Sequence, residues 1–106
     1  GKVKIIGGLS RFYCNWTASS QTVDLGWEAY TDNTGTAVAA DPDGMLDGLD
    51  VDTVGYFTME GNTAATKLLG GNHSFDSQNG IAIVMKAVGA LANDDDLAGT
   101  ITYIVD

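Results

Sequence analysis

The chain has 106 residues, an apolar fraction of 44% and a net charge of −9, which predict one globular domain held by a single core. Only five Lys and Arg accompany fourteen Asp and Glu, and residues 12–66 contain nine of the acids and none of the cations. This composition argues against nucleic-acid binding, which needs cations to replace the counterions of phosphate. The longest unbroken apolar run, residues 81–85, is far short of the roughly twenty residues that span a membrane, so no membrane insertion is predicted.

Apolar and polar residues alternate in the first third of the chain, and this pattern predicts strands. Residues 2–6 form the first predicted strand, which Gly7 and Gly8 end. Two one-sided strands follow, at residues 12–18 and 22–29. Their predicted buried residues are Phe12, Cys14, Trp16 and Ala18 in the first, and Val23, Leu25, Trp27 and Ala29 in the second.

Turn residues dominate the middle of the chain. Residues 31–35, rich in Asp, Asn and Gly, predict a turn, and residues 36–40 predict the short returning strand of a hairpin. The Asp-Pro-Asp-Gly sequence at 41–44 predicts a second turn, followed by an irregular acidic stretch to residue 53. Residues 54–60 predict another strand.

The last third predicts one helix and two strands. Asn62 as a cap, the Ala and Leu content and the Gly70-Gly71 end predict a short helix at 62–71. A polar loop is predicted at 72–79, a strand buried on both faces at 80–88, and a closing strand at 98–105. The fold class is therefore mainly β: a single domain, residues 1–106, built as an antiparallel β-sandwich or small barrel of about seven strands with one short helix.

The acidic stretch is the candidate metal site, because calcium prefers carboxylates clustered on turns. The spacing of an EF-hand is absent, since Met45 and Leu46 occupy its third ligand and glycine positions. A calcium site of another kind and a solvated Asp-rich turn both remain open. The candidate calcium ligands are Asp41, Asp43, Asp47, Asp50 and Asp52.

Other chemistry-bearing residues are better explained by structure. Cys14 alternates with apolar neighbours and is predicted to be a small buried side chain. His73 lies beside Ser74 and Asp76, but consecutive residues rarely form a catalytic triad. Trp16 and Trp27 fall on predicted inward faces and are expected in the core instead of forming sugar platforms. No catalytic residue is assigned, and no cofactor other than calcium is predicted.

The segment Ala98-Gly99-Thr100-Ile101-Thr102-Tyr103-Ile104-Val105 resembles the closing strand of lambda-type capsid decoration proteins. The resemblance covers these eight residues together with chain length and an acidic, Ala/Gly/Thr-rich composition. Segments 23–27 and 86–89 are also similar in style to uncharacterised proteins of marine phages. The chain departs from the decoration family in one respect: that family begins with a proline-containing arm, whereas the single proline here is Pro42.

This resemblance implies a non-enzymatic virion protein, assembled in the cytoplasm, that forms trimers and docks on a capsid. The leading hypothesis is therefore a structural or interaction domain that acts by self-association and by docking on a larger protein assembly. The alternative is a carbohydrate- or calcium-binding module, virion-borne or extracellular, built on the same β-sandwich. The two hypotheses differ in what they require: a closed oligomer for the first, and exposed aromatic side chains near the aspartates for the second.

Overall fold

The computed structural model describes residues 2–15, 22–50, 55–59, 72–88 and 96–105. Strands account for 70% of these residues and helical turns for 4%, so the prediction of a mainly β fold is confirmed. The predicted helix at 62–71 lies outside the described residues. Eleven strands are present in this part of the chain: β1 (Lys2–Ile6), β2 (Arg11–Asn15), β3 (Thr22–Trp27), β4 (Tyr30–Thr31), β5 (Ala37–Val38), β6 (Asp41–Asp50), β7 (Gly55–Thr58), β8 (Asn72–Asp76), β9 (Ile83–Val88), β10 (Asp96–Thr100) and β11 (Tyr103–Val105).

The strands form three three-stranded sheets and one hairpin, and every ladder is antiparallel. The orders are β11-β1-β8, β10-β2-β7 and β6-β3-β9, with β4 and β5 as the separate hairpin. The inner faces pack sandwich-like on one core, whose buried members are Ile5, Phe12, Cys14, Val23, Leu25, Trp27, Met45, Leu46, Leu49, Met59 and Phe75.

Residues predicted from the alternation occupy this core. Phe12 and Cys14 are buried on β2, and Val23, Leu25 and Trp27 are buried on β3, as the pattern predicts. Ala29 was also expected in the core, but it follows the end of β3 and is exposed. Trp16 and Ala18 lie outside the described residues.

The chain passes from one sheet to another at two neighbouring places. A 3-10 turn at Gly7–Leu9 separates β1 from β2, and residues 101–102 separate β10 from β11. The prediction of a single closing strand at 98–105 is therefore wrong. The backbone carbonyl of Thr102 accepts a hydrogen bond from Ile6 N at 2.9 Å, so the two places are in direct contact.

Two segments predicted as turn or loop are strands. Residues 41–50 form β6 because Met45, Leu46 and Leu49 are drawn into the core against β3. Residues 72–76 form β8 because His73 and Phe75 join an aromatic cluster with Trp27. In both segments the local turn propensity of Asp, Asn and Gly is overridden by side chains that the sheet buries.

The strand predicted at 80–88 with both faces buried corresponds to β9, which does not have that environment. It instead ends the β6-β3-β9 sheet, and Met85 and Val88 are 46% and 45% exposed. Among the described residues, no helix is long and apolar enough to cross a membrane.

Candidate functional site

Four of the five candidate calcium ligands, Asp41, Asp43, Asp47 and Asp50, lie on β6, and Asp52 lies outside the described residues. Asp41 is opposite Trp27 and Asp50 is opposite Thr22, at the two ends of the β3–β6 ladder. Between these ends β6 has two bulges. The first lies between Asp41 and Leu46, where five residue steps on β6 are paired with two on β3. The second lies between Leu46 and Leu49, where three steps are paired with two. Asp41 and Asp47 act electrostatically on Asp43, whereas Asp50 lies at the far end of the ladder.

Within this group, Asp43 has a raised pKa. A hydrogen bond with the Asp41 carboxyl raises the pKa of Asp43, and desolvation and the negative charges of Asp47 and Asp41 raise it further. Within the described ranges, no group of three or more His, Cys, Asp and Glu side chains is arranged to hold a metal ion. The five-aspartate calcium site stays a prediction.

Two glycines shape the bulges of β6 for different reasons. A Cβ on Gly44 would lie 2.5 Å from the Trp27 ring, so the indole occupies the space beside this residue. Gly48 has a φ of 68°, a left-handed backbone conformation that residues other than glycine rarely adopt. Its N–H donates a hydrogen bond to the Asp24 carboxylate at 2.8 Å, and this bond holds the second bulge against β3.

The predicted turn at 31–35 is confirmed as the tip of the β4–β5 hairpin. The Asp32 carboxylate accepts hydrogen bonds from Thr34 N at 2.9 Å, Thr34 Oγ1 at 2.6 Å and Thr36 N at 2.8 Å. The Thr34 hydroxyl and these backbone donors lower the pKa of Asp32. The neighbouring Tyr30 has a raised pKa because of burial first and of the charges of Asp32 and Asp76 second. This carboxylate organises a turn.

His73, Ser74 and Asp76 do not form a nucleophile–base pair. Successive residues of a strand point to opposite faces, so Ser74 is exposed while His73 turns inward on β8. The His73 ring stacks on Trp27 with centroids 5.2 Å apart and meets Phe75 edge-on at 4.6 Å. Asp76 accepts a hydrogen bond from the Asn33 amide. The imidazole is thus part of an aromatic cluster.

Cys14 and Trp27 occupy the positions expected of core residues, at 1% and 5% exposure. Both sequence interpretations are confirmed: the thiol is a buried side chain, and this indole is not available as an exposed sugar platform.

Among the described residues, a run of three exposed apolar side chains lies near the other end of the chain. Tyr103, Ile104 and Val105 are 59%, 53% and 64% exposed, and together they make up β11. This strand pairs with β1 on one side, and none of the described strands pairs with its other side. We call β11 with its three side chains the apolar edge.

An apolar cavity of about 340 Å³ opens beside the apolar edge. Its lining includes Val3 and Ile5 of β1, Phe75 of β8, and Tyr103 of β11 itself; the remaining members are Ile81, Ile83 and Ile101. The register explains this arrangement, because Ile5 pairs with Tyr103 and Val3 with Val105, so these four side chains share the inner face. Edge and cavity form one continuous apolar surface.

No protein-family model, curated protein or solved structure matches the chain. Its function must therefore be argued from its own residues.

Sequence reasoning missed the apolar edge. The sequence predicts one closing strand at residues 98–105 and does not specify its neighbours in a sheet. Nothing in the alternation specifies that β11 ends its sheet, because the order of strands depends on pairings between residues about a hundred positions apart. A run of three apolar residues, Tyr103 to Val105, was the available signal, since a half-buried strand normally alternates.

Proposed function

We propose that this chain is a non-enzymatic structural domain of the capsid decoration type, which self-associates and docks on a larger protein assembly. The observation that carries the proposal is the apolar edge. An exposed hydrophobic edge strand offers unpaired backbone groups to another chain, and monomeric proteins protect such edges with charges, proline or a covering segment. Tyr103, Ile104 and Val105 carry none of these protections themselves.

The energetics favour association through this strand. Burying one large aliphatic side chain contributes about 1.5–3 kcal/mol, and three apolar side chains here are more than half exposed. The adjoining cavity of about 340 Å³ offers room for an apolar side chain of the partner. Pairing of β11 with a strand of a second copy would also supply backbone hydrogen bonds.

The geometry of the contact determines the symmetry of the assembly. Two copies of β11 paired with each other give an isologous dimer, whereas β11 docked on a different surface of the next copy gives a heterologous contact that can close as a ring. The sequence of residues 98–105, which the structure divides between β10 and β11, resembles that of trimeric decoration proteins, and this resemblance supports the second arrangement. We propose a trimer in which the apolar edge of each copy covers part of its neighbour.

The test is absolute mass by light scattering after size exclusion, for the wild type and for Ile104→Lys. We expect three times the chain mass of 11.0 kDa for the wild type, and the chain mass alone for the variant. The charge is placed on an edge, where lysine opposes strand pairing. The matched control is Val88→Lys, which adds the same charge at an exposed apolar position of β9.

Far-ultraviolet circular dichroism establishes that each variant is folded. A wild-type monomer would overturn the proposal, and so would a folded Ile104→Lys variant that keeps the wild-type mass. Docking on a larger assembly is then tested by co-sedimentation with capsids that lack this protein.

A further inference from the structure

A second surface of the molecule has a different chemistry from the apolar edge. On the outer face of the β10-β2-β7 sheet, Tyr13 and Tyr56 pair across the β2–β7 ladder. Their ring centroids are 5.0 Å apart and the rings are tilted by 50°. Tyr56 is 77% exposed, the largest value among the exposed large apolar side chains of the described residues. Two aromatic rings are thus presented side by side on a sheet surface.

A shallow trough of about 320 Å³ runs beside these rings. On its β10 side the lining residues are Ala98, Gly99 and Thr100, which are small and leave the flank of Tyr13 uncovered. Gly99 lies opposite the buried Phe12, and a Cβ there would lie 2.4 Å from the Phe12 ring, on the inner face of the sheet. The trough is open on its β10 side because Ala98, which lies opposite Tyr13, has a small side chain.

One end of the trough is polar. Arg11 lies opposite Thr100 in the β2–β10 ladder, and both residues line the trough. Arg11 and Tyr13 point to the same face and are two residues apart, which is about 7 Å along a strand. A flat ligand stacked on the tyrosines would thus meet a guanidinium fork and a hydroxyl at its rim.

We propose that this trough binds a neutral oligosaccharide. A pyranose ring has an apolar face of C–H groups that packs on an aromatic ring and a rim of hydroxyls that accept hydrogen bonds from a guanidinium. The Tyr13–Tyr56 pair matches the face, and Arg11 with Thr100 matches the rim. The net charge of −9 repels polyanions at long range, which selects neutral sugars over nucleic acids and acidic glycans.

This inference is independent of the apolar edge. The trough lies in the β10-β2-β7 sheet and the edge in the β11-β1-β8 sheet, so a sugar site and an assembly surface can coexist on one chain. A decoration protein that carried both would attach an assembly to a glycan-coated surface.

The experiment is a titration of ¹⁵N-labelled protein with cellohexaose, xylohexaose and, as the acidic comparison, hexagalacturonate, followed by amide chemical shifts. We expect the two neutral sugars to shift Arg11, Tyr13, Tyr56 and Ala98, and hexagalacturonate to bind more weakly. Tyr56→Ala should weaken binding about tenfold, the usual scale for a lost stacking partner. Met85→Ala, which removes an exposed apolar side chain from the β6-β3-β9 sheet, should leave binding unchanged.

Three outcomes overturn the proposal. The first is that neither neutral sugar shifts the trough residues. The second is that only hexagalacturonate shifts them. The third is that Tyr56→Ala forms a smaller oligomer than the wild type does, which would assign the trough to a contact between protein chains instead.

Discussion

The hydroxyl of Ser10 accepts a hydrogen bond from the backbone N–H of Thr102 at 3.0 Å, across 92 positions of sequence. The same hydroxyl donates to the carbonyl of Ile6 at 2.8 Å, and Ser10 is fully buried. The Thr102 side chain in turn donates to the carbonyl of Leu9 at 2.9 Å. These hydrogen bonds connect the turn between β1 and β2 to the segment between β10 and β11, the two places where the chain passes between sheets.

We expect Ser10→Ala to lower the free energy of unfolding by about 1–3 kcal/mol, because it removes both hydrogen bonds of the buried Ser10 hydroxyl and leaves the partly buried N–H of Thr102 without this acceptor. Chemical denaturation followed by circular dichroism measures the change. Ser74→Ala is the matched control, because Ser74 is exposed on β8 and its loss should change stability by less than about 0.5 kcal/mol. Equal stability of the two variants would contradict a structural role for the Ser10 hydroxyl.

We expect Gly44→Ala and Gly48→Ala to destabilise the protein for different reasons. The Gly44 substitution forces a methyl group into the Trp27 ring and should cost about 1–3 kcal/mol by overpacking. The methyl group added at Gly48 has no neighbour within 4 Å. This substitution should lower the free energy of unfolding by about 1–2 kcal/mol, because the backbone there is left-handed.

Two readouts separate these causes. Near-ultraviolet circular dichroism should change in Gly44→Ala, where the indole must shift, and stay close to wild type in Gly48→Ala. Asn tolerates the left-handed conformation better than Ala, so Gly48→Asn should recover part of the stability lost in Gly48→Ala. An unchanged aromatic spectrum for Gly44→Ala would argue against the contact with Trp27.

We expect Asp43→Asn to raise the melting temperature at pH 7. The asparagine amide can donate a hydrogen bond to the Asp41 carboxylate at any pH, whereas the Asp43 carboxyl can donate one only when it is protonated. The raised pKa of Asp43 in the folded state favours the protonated form on folding. Its contribution to stability is therefore greatest below the unfolded pKa, and it is lost as the pH rises through the folded pKa. The difference between variant and wild type should disappear near pH 3.

Glu28→Gln is the control for Asp43→Asn, since it removes one negative charge from an exposed position after β3. It should change the melting temperature less at pH 7. If the two substitutions stabilise equally, the effect is one of net charge and does not arise from the β6 carboxylates.

The opposite pH dependence is expected at Asp32. Its pKa is lowered from the usual 3.8 by the hydrogen bonds from Thr34 and Thr36. The stability that it contributes is present above pH 3.8 and is lost as the pH falls through the lower, folded pKa. Asp32→Ala should therefore lower the melting temperature at pH 7 and approach the wild type at strongly acid pH. If the loss of melting temperature in Asp32→Ala did not become smaller as the pH falls, the ionised carboxylate would not be the group that stabilises the turn.

Salt should weaken the proposed assembly if complementary charge contributes to it. Lys2 and Lys4 are exposed on β1, next to the apolar edge, whereas Asp43 and Asp47 are exposed on β6 in another sheet. At about 1 M salt the screening length falls to about 3 Å, so light scattering at low and high salt measures this contribution. An oligomer of the same mass and affinity in both buffers would leave apolar contacts as the sole basis of association.

Strands with regular alternation were predictable from sequence because their burial is one-sided. Val23, Leu25 and Trp27 repeat every second residue, and β3 has the start and the buried face that this spacing implies, although it ends at Trp27, before Ala29. The β4–β5 hairpin was predictable for another local reason, since Asp32 supplies the acceptor that closes its turn.

Strand β6 was not predictable because its pattern is interrupted. The bulges place Met45 and Leu46, two consecutive residues, in the core, which neither a regular strand nor a turn pattern indicates. The pairing of Tyr13 with Tyr56 was not predictable either. Alternation turns Tyr13 away from the buried face, but the register that sets it beside Tyr56 is a property of the assembled sheet.

The order of pairing also constrains how the protein can fold. Strands β1 and β2 come first in the chain, yet their partners β11 and β10 are made only with residues 96–105. Contacts of such long sequence separation are slow to form, with typical times of milliseconds to seconds in all-β domains. During synthesis β7 and β8 are made before residues 96–105. One edge of β1 and one edge of β2 therefore stay unmatched, and exposed to premature pairing with neighbouring chains, until the last ten described residues have left the ribosome.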